Sequence, residues 1–236
     1  MDRRCGELMN PIIFSAASLI LAAAILVVVS KRRELARMEY IRTYMFPPGL
    51  LDQLAIQRGE LEVKDRQLVA RALRQFFLAY LKCGRKYVAM PSQVVDDLWH
   101  EFILYTRNYE LFCKKAFGGF LHHTPAVVLG AARQDNAGLR RVWWHCCLEE
   151  NINPNKATRL PLLFAIDSKL KVGNGFRYVL DCKGIKRDRG DAGPQVYCGS
   201  DFSSADIDGS TDGFGDFFTS DGGDGGGCGG GCGGGD

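Results

Sequence analysis

No lysine or arginine follows Arg189, and the 236 residues contain only four histidines. The first absence divides the charge. Residues 1–189 carry +12 and residues 190–236, with nine Asp, carry −9, a split that the net +3 conceals. A basic body joined to an acidic tail can bind an anionic surface or its own tail through screened electrostatics; the same charge also serves plain solubility. The second absence confines imidazole chemistry to His100, His122, His123 and His145. The chain has no H-E-x-x-H pair, no nucleophile elbow and no glycine-rich phosphate loop after a strand, so zinc-protease, α/β-hydrolase and nucleotide-cradle readings have no motif to stand on. Basic residues do not interleave with aromatics along any one segment, which leaves nucleic-acid binding without a specific signal. A second long apolar run is missing, which excludes a multi-span transporter. With 46% hydrophobic and 24% charged residues, the composition is not that of a wholly disordered chain.

One long apolar run is present. Pro11 to Val29 (PIIFSAASLILAAAILVVV) has no charge, and as a helix it spans about 28 Å, close to the thickness of a hydrocarbon core. A cleaved signal peptide would need a shorter apolar core followed by a small-residue cleavage site. Here the run ends in Ser30-Lys31-Arg32-Arg33, a stop. The pattern predicts a single-pass anchor over residues 11–30 in a lipid bilayer, behind a short extracytoplasmic head (residues 1–10). Lys31, Arg32, Arg33, Arg37 and Arg42 outnumber Arg3 and Arg4 on the other flank, so the positive-inside rule directs the C-terminal side to the cytoplasm. Six of the nine cysteines, Cys83, Cys113, Cys146, Cys147, Cys182 and Cys198, are scattered without framework spacing, as expected of thiols in a reducing compartment.

After the anchor the sequence reads as mainly α. Residues 31–46 continue the helix as a basic juxtamembrane segment, with Tyr40 and Tyr44 suited to the headgroup layer. Pro47-Pro48-Gly49 stops it. A helical body is expected over residues 47–182. A short helix covers 50–57. A strong one covers 64–82, where Leu68, Val69, Ala72, Leu73, Phe76, Tyr80 and Leu81 keep helical spacing. Ser92 is placed to cap the next helix, which runs to about Thr106. RNYELFCKKAF makes another, ending at Gly118, and FLHHTP is irregular. Residues 125–132, 136–150 and 154–170 read as further helix, the last shaped by Pro161, and Phe176 to Leu180 as a short strand. Residues 183–236, rich in Gly, Asp and Ser, are expected to form a disordered acidic tail in which Phe202, Phe214, Phe217 and Phe218 are isolated aromatics. Cys228 and Cys232 in that tail are a weak metal signal.

Asp96 and His100 stand four apart on one predicted helix, so carboxylate and imidazole share a face. His122-His123 follows in a loop that can fold back toward them. A carboxylate with imidazoles can serve as ligands for Zn²⁺ or Fe²⁺. Neighbouring side chains of an extended segment point opposite ways, so one of His122 and His123 is expected to face the pair and the other to cap or pack. A hydrogen-bonded Asp–His pair that locks helix packing is the competing reading. His145 with Glu149 repeats the spacing beside Trp143 and Trp144, on a face that looks like core.

The run around these residues resembles a known family. Val95, Asp96, Trp99 and His100, then Ile103, Leu104, Thr106, Tyr109, Phe112 and Cys113, then Phe117, Gly118, Phe120, His122, His123 and Pro125 are similar to the signature of bacterial and plant glycine-rich domain-containing proteins. Arg159 to Asp167 and the glycine/cysteine tail look similar too. Some relatives carry a His where this chain has Phe102. The resemblance implies a family and no reaction. The function expected first is a membrane-anchored cytoplasmic scaffold that binds a protein partner; the alternative is a metal-binding protein or metal-dependent enzyme using Asp96, His100, His122 and His123.

Overall fold

The computed structural model describes residues 4–123, 137–180, 196–199 and 202. The fold is mainly α, with seven helices and two short strands among the described residues. The first helix, α1, runs unbroken from Arg4 to Thr43, about 60 Å at 1.5 Å per residue. It has two regimes. Leu19, Ile20 and Leu26 are each about 70% exposed, so the body does not cover the apolar run. Ser15–Thr43 is the one helix among the described residues long and apolar enough to cross a membrane, with a mean hydropathy of 1.7. Beyond it the helix docks. Ile41 is fully buried, and Tyr40 and Tyr44 lie 5.9 and 4.6 Å from the Phe112 ring. Their rings pack against the body, and burial pushes the Tyr44 hydroxyl up to about 12. Arg42 likewise turns inward, donating to Glu149 from Nε and Nη2 at 2.8 and 3.0 Å. The cations left beside the apolar run are therefore chiefly Lys31, Arg32 and Arg33.

Gly49, at φ +83°, makes the turn into α2 (Leu50–Gln57). Helix α3 (Val63–Lys82) opens on a capping box in which Glu62 and Asp65 each accept from the other's backbone. It is the hub, packing against α1, α2, α4, α6 and α7. Leu73, Phe76 and Phe77 are fully buried there, and each contributes about 1.5–3 kcal/mol by leaving water. Helix α4 (Gln93–Leu104) starts where Ser92 Oγ accepts from the Val95 N–H. It stops two residues short of the expected end, because Tyr105 leaves helical geometry at ψ 56° before α5 (Thr106–Phe117) begins. Gly118 closes α5 at φ +78°, and a Cβ there would meet the Arg37 guanidinium at 2.8 Å. Helices α6 (Ala137–Glu149) and α7 (Leu162–Lys169) complete the body. The helical content of 154–170 is confined to α7, since Pro161 lacks an N–H and suits only the helix start.

Strand β1 (Arg177–Val179) pairs in parallel with β2 (Val196–Cys198), Tyr178 opposite Tyr197. The body therefore extends beyond residue 182. Phe202 is 4% exposed and packs on Trp143, Phe164 and Tyr178, so it is a core aromatic and not an isolated one. Cys198 is buried and disulfide-bonded, which corrects the expectation of free thiols throughout; Cys83, Cys113, Cys146 and Cys147 are free. The helix expected at 125–132, the rest of the acidic tail and the Cys228/Cys232 pair lie outside the described residues.

Candidate metal centre

Three of the four predicted ligands converge. Asp96, His100 and His123 each present a ligand atom, and these atoms lie within 4.8 Å of one another. Helical spacing brings the first two together: His100 Nδ1 is 2.9 Å from the Asp96 carbonyl oxygen and 3.5 Å from Asp96 Oδ2. A carbonyl only accepts, so Nδ1 carries the proton of a neutral His100 and Nε2 keeps its lone pair. His123 arrives from the loop, with Nε2 3.0 Å from Asp96 Oδ1. The His100 and His123 ring centroids are 4.2 Å apart. His122 is exposed and rests against Phe120 at 4.8 Å. Alternation along the loop thus sends His123 to the cluster and leaves His122 outside it, on the lining of the same cavity.

The loop returns because Tyr109 holds it. Trp99 Nε1 donates to Tyr109 Oη at 3.1 Å, and Tyr109 donates onward to the Leu121 carbonyl at 2.6 Å. Both rings are buried, and burial raises the Tyr109 hydroxyl far above its ordinary range, so it stays a donor. The edge of His123 then meets Trp99 at 4.6 Å. Helix α4 is fixed at its N-terminus by Asp167, which is 2% exposed. Its carboxylate accepts from Ser92 Oγ at 2.7 Å and from the backbone N–H groups of Gln93, Val94 and Phe176 at 2.8, 3.2 and 2.9 Å. Four donors and the positive end of α4 compensate for burying the charge. Sequence reasoning missed Asp167. Its signals were a carboxylate inside the apolar run of α7, where a charge needs partners, and its place at the end of the Arg159–Asp167 resemblance.

A cavity of about 480 Å³ opens at the cluster, walled by Tyr80, Tyr87, Met90, Trp99, Phe120 and Phe176. His100 is half exposed while Asp96 and His123 are largely covered, so an ion could enter past His100 and still be shielded from one side. Phe102, where some relatives of the resembled family carry His, is fully buried among Tyr44, Phe46 and Tyr109 and does not border this cavity. His145 is set apart. Burial, reinforced by Lys82, lowers it to about 4, and Glu149 turns to Arg42 and Lys82 instead. Burial also raises the thiols of Cys83, to about 11, and of Cys147, to about 12. At neutral pH these are protonated and poor nucleophiles.

The fold and this cluster define a class: an α-helical domain with an Asp/His/His cluster, carried on an exposed apolar N-terminal helix. A family model described as UCP032817-like matches residues 36–202, and the chain belongs to that UCP032817-like family. The matched span starts near the docked end of α1 and closes on Phe202, so it covers the helical body and all three cluster residues but not the apolar run. No curated protein and no solved structure matches the chain.

Proposed function

We propose that this protein is a membrane-anchored helical module that binds a divalent transition-metal ion through Asp96, His100 and His123. The convergence of their ligand atoms within 4.8 Å carries the reading. The 3.0 Å between His123 Nε2 and Asp96 Oδ1 is close to the roughly 3.0–3.4 Å that two ligands span around an ion bonded at about 2.0–2.1 Å, so an ion would replace a shared proton with little movement. Two imidazoles and one carboxylate suit Zn²⁺ or Fe²⁺ and leave coordination positions open toward the cavity. The backbone carbonyl of Asp96 would orient His100 in the way that outer partners orient metal-bound histidines.

Elemental analysis of the purified full-length chain in detergent, after incubation with Zn²⁺ or Fe²⁺ and desalting, tests this. Stoichiometric metal is expected, lost in Asp96→Asn and in His123→Ala and kept in His122→Ala. Trace metal in the unaltered chain would overturn it. The scaffold reading is favoured by a different observation, the exposure of Leu104 and Leu111 on α4 and α5, side chains a protein partner could cover. We also propose kinship with glycine-rich domain-containing proteins, supported by the Val95–Pro125 motif.

For the membrane, we propose that α1 spans the bilayer with the body in the cytoplasm. Lys31, Arg32 and Arg33 beside the apolar run support that side; the Cys198 disulfide is the feature that favours an oxidising compartment. Protease protection in sealed vesicles decides between them: digestion of the body only from the cytoplasmic face is expected, and protection from that face would reverse the orientation.

A further inference from the structure

Where α1 ends, a second cavity of about 950 Å³ lies between the Arg42–Asp52 turn and α3. Its lining combines apolar side chains, Phe46, Leu51, Ala70 and Leu78, with the guanidinium groups of Arg66, Arg71 and Arg74. The carboxylates nearby are already engaged. Glu149 accepts from Arg42 and Lys82. Glu150 pairs with Arg159 and accepts from Gln75 and the Leu162 N–H. Asp52 pairs with Arg66.

Two arginines have no carboxylate partner among the described residues. Arg71 is exposed. Arg74 donates Nε to the Tyr44 carbonyl and lies 5.1 Å over the Phe46 ring; burial alone acts on it and lowers its pKa, with no anion to offset the cost. Two buried polar atoms at the same cavity are also without a hydrogen bond, Arg66 Nε and Gln75 Oε1, and Gln75 is 6% exposed. Such a site wants a ligand that brings anionic oxygens for the guanidinium groups and an apolar or aromatic part for the apolar side chains.

We propose that this cavity binds the acidic-aromatic stretch of the chain's own C-terminal segment, Asp206 to Phe218. That stretch, DIDGSTDGFGDFF, interleaves Asp206, Asp208, Asp212 and Asp216 with Ile207, Phe214, Phe217 and Phe218, and contains no cation. Its tether has a suitable length. Phe202 is fixed 5.8 Å from the Trp143 ring of α6, and Glu150, just beyond the end of the same helix, lines the cavity, roughly 10 Å farther along at helical rise. The twelve residues from Phe202 to Phe214 span at most about 40 Å and, at Gly/Ser-rich statistics, average about 20 Å. The segment is thereby presented at a millimolar effective concentration, at which even a weak site is occupied in cis. Aspartates supply the missing acceptors and the phenylalanines cover the apolar side chains. An external acidic-aromatic segment would have to displace the tail to bind.

A fluorescein-labelled peptide of residues 203–220, titrated by anisotropy against the full-length chain in detergent, tests this. A second full-length chain carries Asp206→Asn, Asp208→Asn, Asp212→Asn and Asp216→Asn, which weakens the competing tail without touching the cavity. The peptide should bind the neutralised chain about tenfold more tightly than the unaltered one, as expected for a cis competitor of that effective concentration. Adding Arg71→Glu to the neutralised chain, at an exposed position that leaves the core intact, should remove most of that binding, and so should raised salt. Equal affinity for the two chains would overturn occupation by the tail. Binding insensitive to Arg71→Glu, or absent from the neutralised chain, would overturn the site itself.

Discussion

Among single residues, His145 shows how far burial can override an ordinary titration. In the fold it is 7% exposed and neutral, held to about 4 by desolvation and then by Lys82. In the unfolded chain it titrates near its usual value of about 6.5. The folded pKa is the lower one, so its stabilising effect is fully present above pH 6.5 and is lost as pH falls toward 4. Between pH 7 and 5 that amounts to about 2 kcal/mol. Urea unfolding at the two pH values should show the loss in the unaltered chain and a flatter response in His145→Gln. Glu149 and Glu150, whose pKa values are lowered in the fold, lose their own contribution only below about pH 4.5, outside that window. Of the cluster, Asp96 and His100 were legible as a shared helical face because periodicity fixes i, i+4 neighbours. Which of His122 and His123 would join them was not, since that depends on the Trp99–Tyr109–Leu121 relay that turns the loop.

Elements were legible where a local signal marks them. Ser92 caps α4, Gly118 ends α5, and the apolar stripe of α3 falls on its buried face. The sequence erred where a distant partner decides. That Tyr40 and Tyr44 pack on Phe102 and Phe112 from α4 and α5 was invisible in the local sequence. Residues 196–202 read as tail because they sit within a stretch, 183–236, rich in Gly, Asp and Ser, but β1 offers an open edge and Trp143 and Phe164 offer a slot for Phe202. The α4–α7 joint yields the sharpest prediction at this scale. Asp167→Ala strands the donors at the start of α4 and should cost about 3 kcal/mol, whereas Ser92→Ala should cost about 1 kcal/mol. Thermal unfolding of both variants checks the order, and an Asp167→Ala chain as stable as the Ser92→Ala one would contradict the role assigned to Asp167.

The whole molecule divides into an exposed apolar rod and a body that buries its own aromatics. Leu21 and Ile25 are more than half exposed, and in water such a rod would drive aggregation unless lipid covers it. The full-length chain should therefore stay with the membrane pellet after alkaline carbonate extraction. Leu21→Arg with Ile25→Arg, each costing about 2.5–3.5 kcal/mol at a bilayer centre, should release it. Release of the unaltered chain by carbonate would count against a spanning helix.

Sequence alone determined the helical class, the apolar rod with its stop of cations, the charge divide, and the pairing of Asp96 with His100. Each of these depends on residues within a few positions of one another, whose geometry the backbone period dictates. Tertiary structure decided that His123 and not His122 completes the cluster, that Asp167 anchors α4 from 73 to 75 residues away, that the body includes β2 and Phe202, and that Arg71 and Arg74 face a cavity without a carboxylate partner among the described residues. Those outcomes depend on which surfaces are left to be buried or satisfied once the helices have packed, a quantity no local stretch of sequence contains.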